Sequence, residues 1–340
     1  MSKIYKARVP TNIAFLKYWG KEDESQQWPC NDSLSMSLDL YTETFASLIP
    51  FGEKDPAYIY FNSDEEVASA SKFLKKSLKQ LHFLKKERGA EICPTLYIKT
   101  RNEFPSACGI ASSASGLASL TLACLAAWTD SSSFQDLKKN GFSKERLAYL
   151  ARLGSGSACR SLWGGFVHWK KNLSPQDQET TQLHEHSHWN LRDCIVIISD
   201  KEKGLSSTEG HRLAKTSPLF KERLERLPHR LENFRKALVE KNIFQLGSLL
   251  EEEAMEMHAV METSQPPCPY MSEETRAFLK ELKKKRERTQ IPIFYTMDAG
   301  PNVHLIYEET NKEAVLSLFE GYRVIDVSIS EGPSIERFHV

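Results

Sequence analysis

Hydrophobic residues follow two different spacings along this chain, one typical of helices and one typical of strands. Residues 1 to about 60 contain short β-type runs between turn residues, whereas Glu65 to Arg88 carries apolar residues at helical spacing with lysines between them. A predicted strand from Thr95 to Lys99 leads into a turn rich in proline, glycine and serine, and a helix of small residues then extends to Trp128. The pattern therefore predicts helices and strands mixed within the first half of the chain.

The same mixture continues up to a polar stretch near the middle of the chain. The pattern predicts a helix at Lys144 to Arg152, followed by a second turn rich in glycine and serine at Gly154 to Gly165. A strand at Phe166 to Lys170 then leads to the polar stretch, Asn172 to Ser187. Because polar connecting stretches commonly separate packed units, we expect two halves that meet near residue 188.

The second half again combines both spacings. The pattern predicts a strand at Cys194 to Ile198 and a long helical region from Ser217 to Met261, which a proline-rich breaker, Gln265 to Pro269, ends. A helix is predicted next, at Ser272 to Arg288. Three further strands are predicted at Ile293 to Thr296, Val303 to Tyr307 and Tyr322 to Ile329. We therefore predict an α+β fold with two domains, residues 1–188 and residues 189–340.

Length and charge agree with this division and limit the partners. The chain has 340 residues, enough for about two domains at ~150 residues each. Lys and Arg together number 45, as do Asp and Glu, so the formal net charge is zero. A neutral chain has no general attraction for nucleic acid or anionic membranes, and we predict neither as a partner. Any polyanionic ligand must then be held by a few locally placed groups.

The start of the chain and the cysteines predict a soluble, cytoplasmic protein. Residues Met1 to Lys6 contain no apolar leader segment, and the richest apolar stretch, Gly116 to Trp128, is shorter than the ~20 residues that span a bilayer. The seven cysteines are odd in number, and none forms a Cys-x-x-Cys pair. Reduced thiols fit this pattern better than a disulfide framework or a zinc finger does.

The loop from Pro105 to Gly116 has the composition of a phosphate site. It places Gly109, Ser112 and Ser113 at the start of the small-residue helix. Glycines let the backbone approach a ligand, free N–H groups and the helix dipole attract an anion, and serine hydroxyls add donors or a magnesium ligand. The loop lacks the lysine of the Walker motif and the spacing of the dinucleotide fingerprint. The alternative interpretation is a helix whose small residues simply permit close packing.

A second anion-type segment runs from Gly154 to Arg160. Its two serines, Ser155 and Ser157, lie among small residues, and Arg160 adds a planar group suited to phosphate or carboxylate. Taken alone, this segment is equally compatible with a capped turn that carries a surface arginine. Two phosphate-type loops in one half of a neutral chain favour the binding interpretation.

Two more segments combine charged residues with turn residues. Asn12 precedes the run Lys17 to Lys21, in which two lysines flank aromatic residues and a glycine. Asp298 lies in a predicted loop between two strands. Each has a structural alternative, since exposed lysines are common at sheet edges and an aspartate before Ala-Gly-Pro is typical of an Asx-turn.

Five segments are informative when taken together: Val9 to Lys21, Phe104 to Ala114, Gly154 to Gly165, Leu205 to Gly210 and Tyr295 to Asn302. In this order they resemble the diphosphomevalonate decarboxylase family of the GHMP kinase superfamily. The resemblance implies a two-domain GHMP kinase fold with the active site in the cleft between the domains. It also implies ATP-dependent decarboxylation of mevalonate 5-diphosphate to isopentenyl diphosphate, with ATP and magnesium as cofactors. Homodimers are common in this family, so a homodimer is a further expectation.

The resemblance also assigns roles to individual residues. Asp298 corresponds to the family's catalytic aspartate, which deprotonates the 3-hydroxyl, and Lys17 corresponds to the lysine near the transferring phosphate. Arg160 and Asn12 match residues near the substrate carboxylate. The residues that match the substrate pocket are Tyr18, Trp19, Gly20, Lys21, Ser155, Gly156, Ser157, Ala158, Cys159, Arg160, Ser207 and Thr208. The residues that match the nucleotide site are Lys72, Gly109, Ser112 and Ser113.

Other functions remain as alternatives at this stage. A related decarboxylase or a 3-kinase, acting on mevalonate 5-phosphate or on mevalonate, would share most of these segments. A protein that kept the fold but binds RNA or serves as a scaffold is a second alternative. The histidines His184, His186 and His188 resemble metal ligands, and Lys280 to Arg288 resembles a basic patch. We interpret the first group as part of a polar connecting stretch and the second as a solvated helix face.

Overall fold

The computed structural model describes residues 3–48, 58–61, 80, 83–84, 96–104, 112–199 and 206–339. The predicted helix Glu65 to Arg88 lies outside these residues, apart from Gln80, Phe83 and Leu84, which are helical. The Pro105 to Gly116 loop is described from Ser112 onwards.

The first half is built on a seven-stranded sheet. The strands are β1 (Lys3–Leu16), β4 (Ser33–Leu48), β5 (Tyr58–Phe61), β6 (Leu96–Asn102), β7 (Phe166–Lys170), β8 (Glu179–His184) and β13 (Ser334–His339). Their order is β13-β1-β4-β6-β5, with β7 pairing with both β4 and β8. The pairs are antiparallel except for the parallel pair β5 and β6. A small separate hairpin consists of β2 (Lys21–Asp23) and β3 (Trp28–Pro29).

Two long strands replace the short β-type runs that the sequence predicts near its start. Strand β1 spans 14 residues and β4 spans 16, and they pair along most of their length. Their register shifts between Pro10 and Thr11 and again between Ala14 and Leu16. Such irregularities bend a strand and interrupt its alternation of buried and exposed positions. A single bent strand therefore looks like several short ones in the sequence.

The helices of the first half cover this sheet. They are α1 (Ser112–Thr129), α2 (Phe134–Lys139), α3 (Lys144–Gly154) and a 3₁₀ helix (Gly156–Leu162). Helix α1 approaches β4 closely, because hydroxyl pairs join Ser115 to Thr42 and Ser119 to Thr44 at 2.7 Å each. The small residues in the body of α1 thus permit close packing, and the choice between packing and phosphate binding at the start of the helix stays open.

The second half has a four-stranded antiparallel sheet. Its strands are β9 (Leu191–Val196), β10 (Phe294–Thr296), β11 (Val303–Glu308) and β12 (Val324–Val327), and their order is β10-β11-β9-β12. Its helices are α4 (Ser207–Leu213), α5 (Phe220–Glu240), α6 (Ile243–Thr263), α7 (Glu273–Thr289) and α8 (Lys312–Leu318). Helices α5 and α6 form the long predicted helical region, divided where Lys241 adopts a left-handed conformation and Asn242 caps α6. The α+β class is confirmed in both halves.

Two strands differ from the sequence prediction. The polar stretch Asn172 to Ser187 contains β8, which pairs with β7 and so belongs to the first sheet. Strand β13, near the end of the chain, pairs with β1 rather than with the second sheet. Both strands lie at sheet edges and carry many exposed polar side chains, so their sequences lack the apolar alternation of a half-buried strand. The division at residue 188 remains a prediction. Strand β13 belongs to the second half in sequence but to the sheet of the first half.

An apolar cluster joins the two halves. It contains Ile13 and Phe15 from β1, Phe234 from α5, and Ile195 and Ile306 from the second sheet. The rings of Phe15 and Phe234 stack with their centroids 6.3 Å apart. Burial of this surface fixes the end of β1 against the second half, so the residues that follow β1 lie at the contact between the two halves.

Candidate active site

An ion pair joins the two halves directly after β1. The Nζ atom of Lys17 lies 2.9 Å from Oδ1 of Asp298, although the two residues are 281 positions apart in sequence. Lys17 is 1% exposed, whereas the side chain of Asp298 is 36% exposed. The lysine is therefore a buried cation beneath a carboxylate that solvent, or a ligand, can reach.

Hydrogen bonds from backbone amides hold the loop that carries Asp298 between β10 and β11. The amide of Gly300 donates to the carbonyl of Asp298 at 2.8 Å. The Oδ1 atom of Asn302 accepts hydrogen bonds from the amides of Ile198 and Ser199, at 2.8 and 3.1 Å. The loop is thus tied to the end of β9, and the carboxylate of Asp298 contacts Lys17 across the interface. This contact favours the catalytic interpretation of Asp298 over the Asx-turn.

The charges of this pair depend on each other. Partial burial raises the pKa of the Asp298 carboxyl, but the surrounding positive charges, that of Lys17 foremost, outweigh burial and bring this pKa below its ordinary value. Burial lowers the pKa of the Lys17 ammonium, and the carboxylates of Asp298 and Glu253 offset part of that decrease. Asp298 is therefore ionised at neutral pH, and Lys17 releases its proton more readily than an exposed lysine does.

A second polar pair lies beside the first. Arg160, in the 3₁₀ helix after α3, donates from Nε and Nη2 to Oδ1 of Asn12, at 3.2 and 3.0 Å. Its Nη1 donates to Oγ of Ser33 at 2.7 Å, and Nδ2 of Asn12 donates to Oγ of Ser161 at 2.8 Å. These bonds employ three of the five N–H groups of the guanidinium. The planar cation is held in one orientation and retains N–H groups for an anionic ligand.

The aromatic segment that follows Lys17 is fixed by a histidine from α4. The ring of His211 lies between those of Tyr18 and Trp19, with centroid distances of 4.4 and 4.5 Å. Its Nδ1 atom accepts a hydrogen bond from the amide of Gly20 at 3.0 Å. Gly20 has a φ of +90°, a conformation that glycine adopts without the steric cost of a side chain. Lys21 follows as a buried residue.

Gly156 gives a direct test of how the segment Ser155 to Arg160 supports Tyr18. A Cβ atom on Gly156 would lie 2.5 Å from the Tyr18 ring, well inside contact distance. We expect Gly156→Ala to displace the ring, to destabilise the fold by about 1–3 kcal/mol and to raise KM for the substrate. Thermal unfolding and steady-state kinetics measure both effects. Gly321→Ala is the matched control, because nothing lies within 4 Å of its added Cβ. Unchanged stability and KM in Gly156→Ala would contradict this packing.

The structure gathers most of the predicted site residues around the end of β1. Ala158 and Cys159 are buried, and Ser155 and Ser157 are partly exposed. Ser207 and Thr208 are exposed at the start of α4, the helix that carries His211. Ser112 begins α1, and Ser113 is partly exposed in its first turn. Lys72 and Gly109 lie outside the described residues.

Several residues that complete the site escaped the sequence analysis. Two of them, His211 and Glu253, contact the segment Lys17 to Lys21 directly. A further buried pair, His304 and Asp193, lies behind Asp298 with Nδ1 and Oδ2 2.6 Å apart. A signal for Glu253 was present, since it falls on the buried stripe of α6 at helical spacing from Leu246, Leu250 and Met257.

Family models match both halves of the chain. Residues 9–181 match the diphosphomevalonate decarboxylase-like N-terminal domain, and residues 194–334 match the mevalonate 5-diphosphate decarboxylase C-terminal domain. The chain belongs to the diphosphomevalonate decarboxylase family. Among curated relatives, it is 35% identical to the diphosphomevalonate decarboxylase of Candida albicans, over 93% of this chain and 88% of the relative.

Solved structures of the family share the fold. The mevalonate diphosphate decarboxylase of Staphylococcus aureus is 31% identical, with a TM-score of 0.84 over 100% of this chain and 99% of that chain. The enzyme from Enterococcus faecalis is 30% identical, with a TM-score of 0.84 over the full length of both chains. The expected two-domain GHMP kinase fold is therefore confirmed. Among the described residues, no helix has the length and apolar character needed to cross a bilayer.

Proposed function

We propose that this chain catalyses the ATP-dependent decarboxylation of mevalonate 5-diphosphate. The products are isopentenyl diphosphate, ADP, phosphate and carbon dioxide. The observation that carries the proposal is the Lys17–Asp298 pair at 2.9 Å, with the Asn12–Arg160 pair beside it. Membership of the family and its relatives' names support the same reaction, and one solved relative is described as a complex with MVAPP, AMPPCP and magnesium.

Asp298 acts as the general base. A tertiary alcohol is a weak nucleophile at neutral pH, and general-base assistance typically contributes ~10²–10⁴-fold to the rate. The lowered pKa of Asp298 keeps the carboxylate ionised and able to accept the proton of the 3-hydroxyl. As the hydroxyl oxygen attacks the γ-phosphorus of ATP, Lys17 offsets negative charge on the transferring phosphoryl group. The cation that stabilises Asp298 thus also serves the reaction itself.

Arg160 orients the substrate carboxylate for the second stage of the reaction. Phosphate leaves C3 with the electron pair of its C–O bond, and the C1–C2 bond then supplies the pair that forms the C2–C3 double bond. Carbon dioxide is the remaining fragment. Asn12 holds the guanidinium of Arg160 through two hydrogen bonds, so that its other N–H groups bind the carboxylate until it is released.

The start of α1 fits a nucleotide with its magnesium ion. The helix is 18 residues long, and it begins at Ser112 with Ser113 partly exposed in its first turn. A helix start supplies free N–H groups for phosphate, and serine hydroxyls suit Mg²⁺, which usually takes few protein oxygens together with nucleotide phosphates. Magnesium, when bound, neutralises charge on the phosphates of ATP. We assign this role to Ser112 and Ser113 together with Gly109, and a nucleotide contact by Lys72 stays a prediction.

A series of three substrates tests the proposal against the related activities. We expect turnover on mevalonate 5-diphosphate to exceed that on mevalonate 5-phosphate and on mevalonate, with carbon dioxide released in each productive turnover. The second phosphate of the preferred substrate then binds near Tyr18, Lys21 and the segment Ser155 to Arg160. A preference for mevalonate 5-phosphate, or phosphorylation without carbon dioxide, would favour one of the related activities instead.

The cytoplasmic location and the homodimer remain predictions.

Replacing Arg160 with lysine tests the carboxylate site. Lysine keeps the charge but loses the planar group that bonds Asn12 and Ser33 simultaneously. Hydrogen bonds to charged groups contribute about 1.5–3 kcal/mol, so we expect kcat/KM to fall by about 10- to 150-fold. Arg101→Lys, at an exposed position of β6, is the control and should keep the wild-type value. A wild-type kcat/KM in Arg160→Lys would remove Arg160 from this role.

A further inference from the structure

The backbone of Lys17 is bound by a buried carboxylate from α6. The amide of Lys17 donates a hydrogen bond to Oε1 of Glu253 at 3.0 Å. Glu253 is 0% exposed, although it belongs to the acidic run Glu251 to Glu253. This bond joins the residue directly after β1, whose side chain carries the catalytic cation, to α6 of the second half.

Two arginines of α5 hold the same carboxylate from its other side. Arg223 donates from Nη2 to Oε1 of Glu253 at 2.5 Å and from Nη1 to Oε2 at 3.1 Å. Nη1 of Arg230 also contacts Oε2. Arg223 is 0% exposed and Arg230 is also buried. Both oxygens of Glu253 are therefore occupied, and the side chain is fixed between α5 and β1.

Such a network is a costly way to stabilise a fold. Transferring several charges out of water carries a large desolvation penalty, and well-packed apolar residues of similar volume are often at least as stabilising. Stability alone therefore does not account for Glu253 at this position. Its contact with the Lys17 amide suggests a role that an apolar side chain cannot fill.

We propose that Glu253 is a positioning residue of the reaction, which fixes the backbone of Lys17 so that its ammonium group meets Asp298. This inference rests on the proposed function, because it assigns Lys17 to catalysis. Lys17 follows the end of β1 directly, and its hydrogen bond to Glu253 attaches it to the buried framework of α5 and α6. A displacement of about 1 Å in a reacting group can reduce a rate by ~10²-fold.

Glu253 also affects the charge of Lys17. Its carboxylate opposes the decrease that burial causes in the pKa of the ammonium. Five charged or titratable groups on the surrounding elements interact electrostatically with Lys17. They are Asp298, Glu253, Arg160, Asp193 and His258. Loss of the Glu253 charge would leave Arg223 and Arg230 less compensated, although Glu256 still pairs with both. Both changes favour deprotonation of Lys17. The loss of activity that accompanies this deprotonation as the pH rises should therefore begin at a lower pH.

Glu253→Gln tests this role, with Glu252→Gln as its matched control. Glu252 precedes Glu253 on α6 and pairs with Arg230, but its side chain is 60% exposed. We expect Glu253→Gln to lower kcat by about 10- to 100-fold with a smaller change in KM, and to move the alkaline limb of the pH–rate profile to lower pH. Glu252→Gln should keep the wild-type kcat, and the alkaline limb of its pH–rate profile should stay at the wild-type pH. Circular dichroism and thermal unfolding establish that each variant is folded.

The conservative variant Glu253→Asp separates position from charge. Aspartate retains the charge but is one methylene shorter, so kcat should fall while the alkaline limb stays at its wild-type pH. This variant decides the question if Glu253→Gln does not fold. A folded Glu253→Gln, or otherwise a folded Glu253→Asp, with wild-type kcat would overturn the inference. Lack of turnover by the wild-type enzyme on mevalonate 5-diphosphate would instead contradict the proposed function.

Discussion

Asp298→Asn is expected to lower kcat by about 10²- to 10⁴-fold while KM for mevalonate 5-diphosphate changes little. Asparagine has the size of aspartate, and its amide oxygen can still accept the hydrogen bond that Lys17 donates at 2.9 Å. The amide cannot accept the proton of the 3-hydroxyl, so the loss falls on the chemical step rather than on binding. Single-turnover kinetics with saturating ATP and magnesium would measure that step directly.

The control for this variant is Asp177→Asn, a change at an exposed position in the turn before β8. It should leave kcat and KM at their wild-type values. A kcat for Asp298→Asn within a few-fold of the wild type would show that another group removes the proton.

The pH dependence of the wild-type enzyme should follow the same carboxylate. Because the pKa of Asp298 is lowered, the ionised base persists into the acidic range, and activity is lost as the pH falls through that lowered pKa. The acidic limb of the kcat profile should therefore lie below the ordinary pKa of an aspartate. The residual activity of Asp298→Asn should lack this limb.

Lys17→Met is expected to lower kcat by about 10²- to 10³-fold, the usual cost of removing one preorganised charge from a transition state. Methionine approximates the apolar part of the lysine side chain, so packing around the end of β1 should be preserved. Because Lys17 is the foremost of the charges that lower the pKa of Asp298, that pKa should rise in the variant. The acidic limb of the residual activity should consequently move to higher pH.

A pH–rate profile of Lys17→Met measures both effects in one experiment. Lys138→Met, at an exposed position of α2, is the matched control and should reproduce the wild-type profile. Full activity of Lys17→Met, or an acidic limb at the wild-type pH, would contradict the ion pair as a catalytic unit.

The sequence predicted the fold well where apolar periodicity is strong. Helices α5, α6 and α7 follow their predicted spacing because each buries one face. Strand β11 follows its predicted apolar run because it is buried along nearly its whole length. Strands β8 and β13 were not predicted, because edge strands expose polar side chains and lack the alternation of a half-buried strand. The length of β1 was underestimated because its register shifts interrupt that alternation.

The site was predictable mainly through resemblance. Lys17 and Asp298 lie 281 residues apart, so local spacing alone does not bring them together. Glu253 falls on the buried stripe of α6, but its spacing does not show which residue its carboxylate contacts. His211 is an isolated histidine on a short helix. These two residues act through the contact between the halves, which only the three-dimensional structure reveals.

The stoichiometry of the reaction tests the proposed activity directly. The purified chain of 340 residues would be incubated with ATP, magnesium and mevalonate 5-diphosphate, and carbon dioxide, phosphate and ADP would be measured over time. We predict one carbon dioxide and one phosphate for each ADP formed, with Asp298→Asn reducing all three products in parallel. ATP consumption without carbon dioxide, or no turnover of this substrate, would contradict the assignment of this chain as a decarboxylase of mevalonate 5-diphosphate.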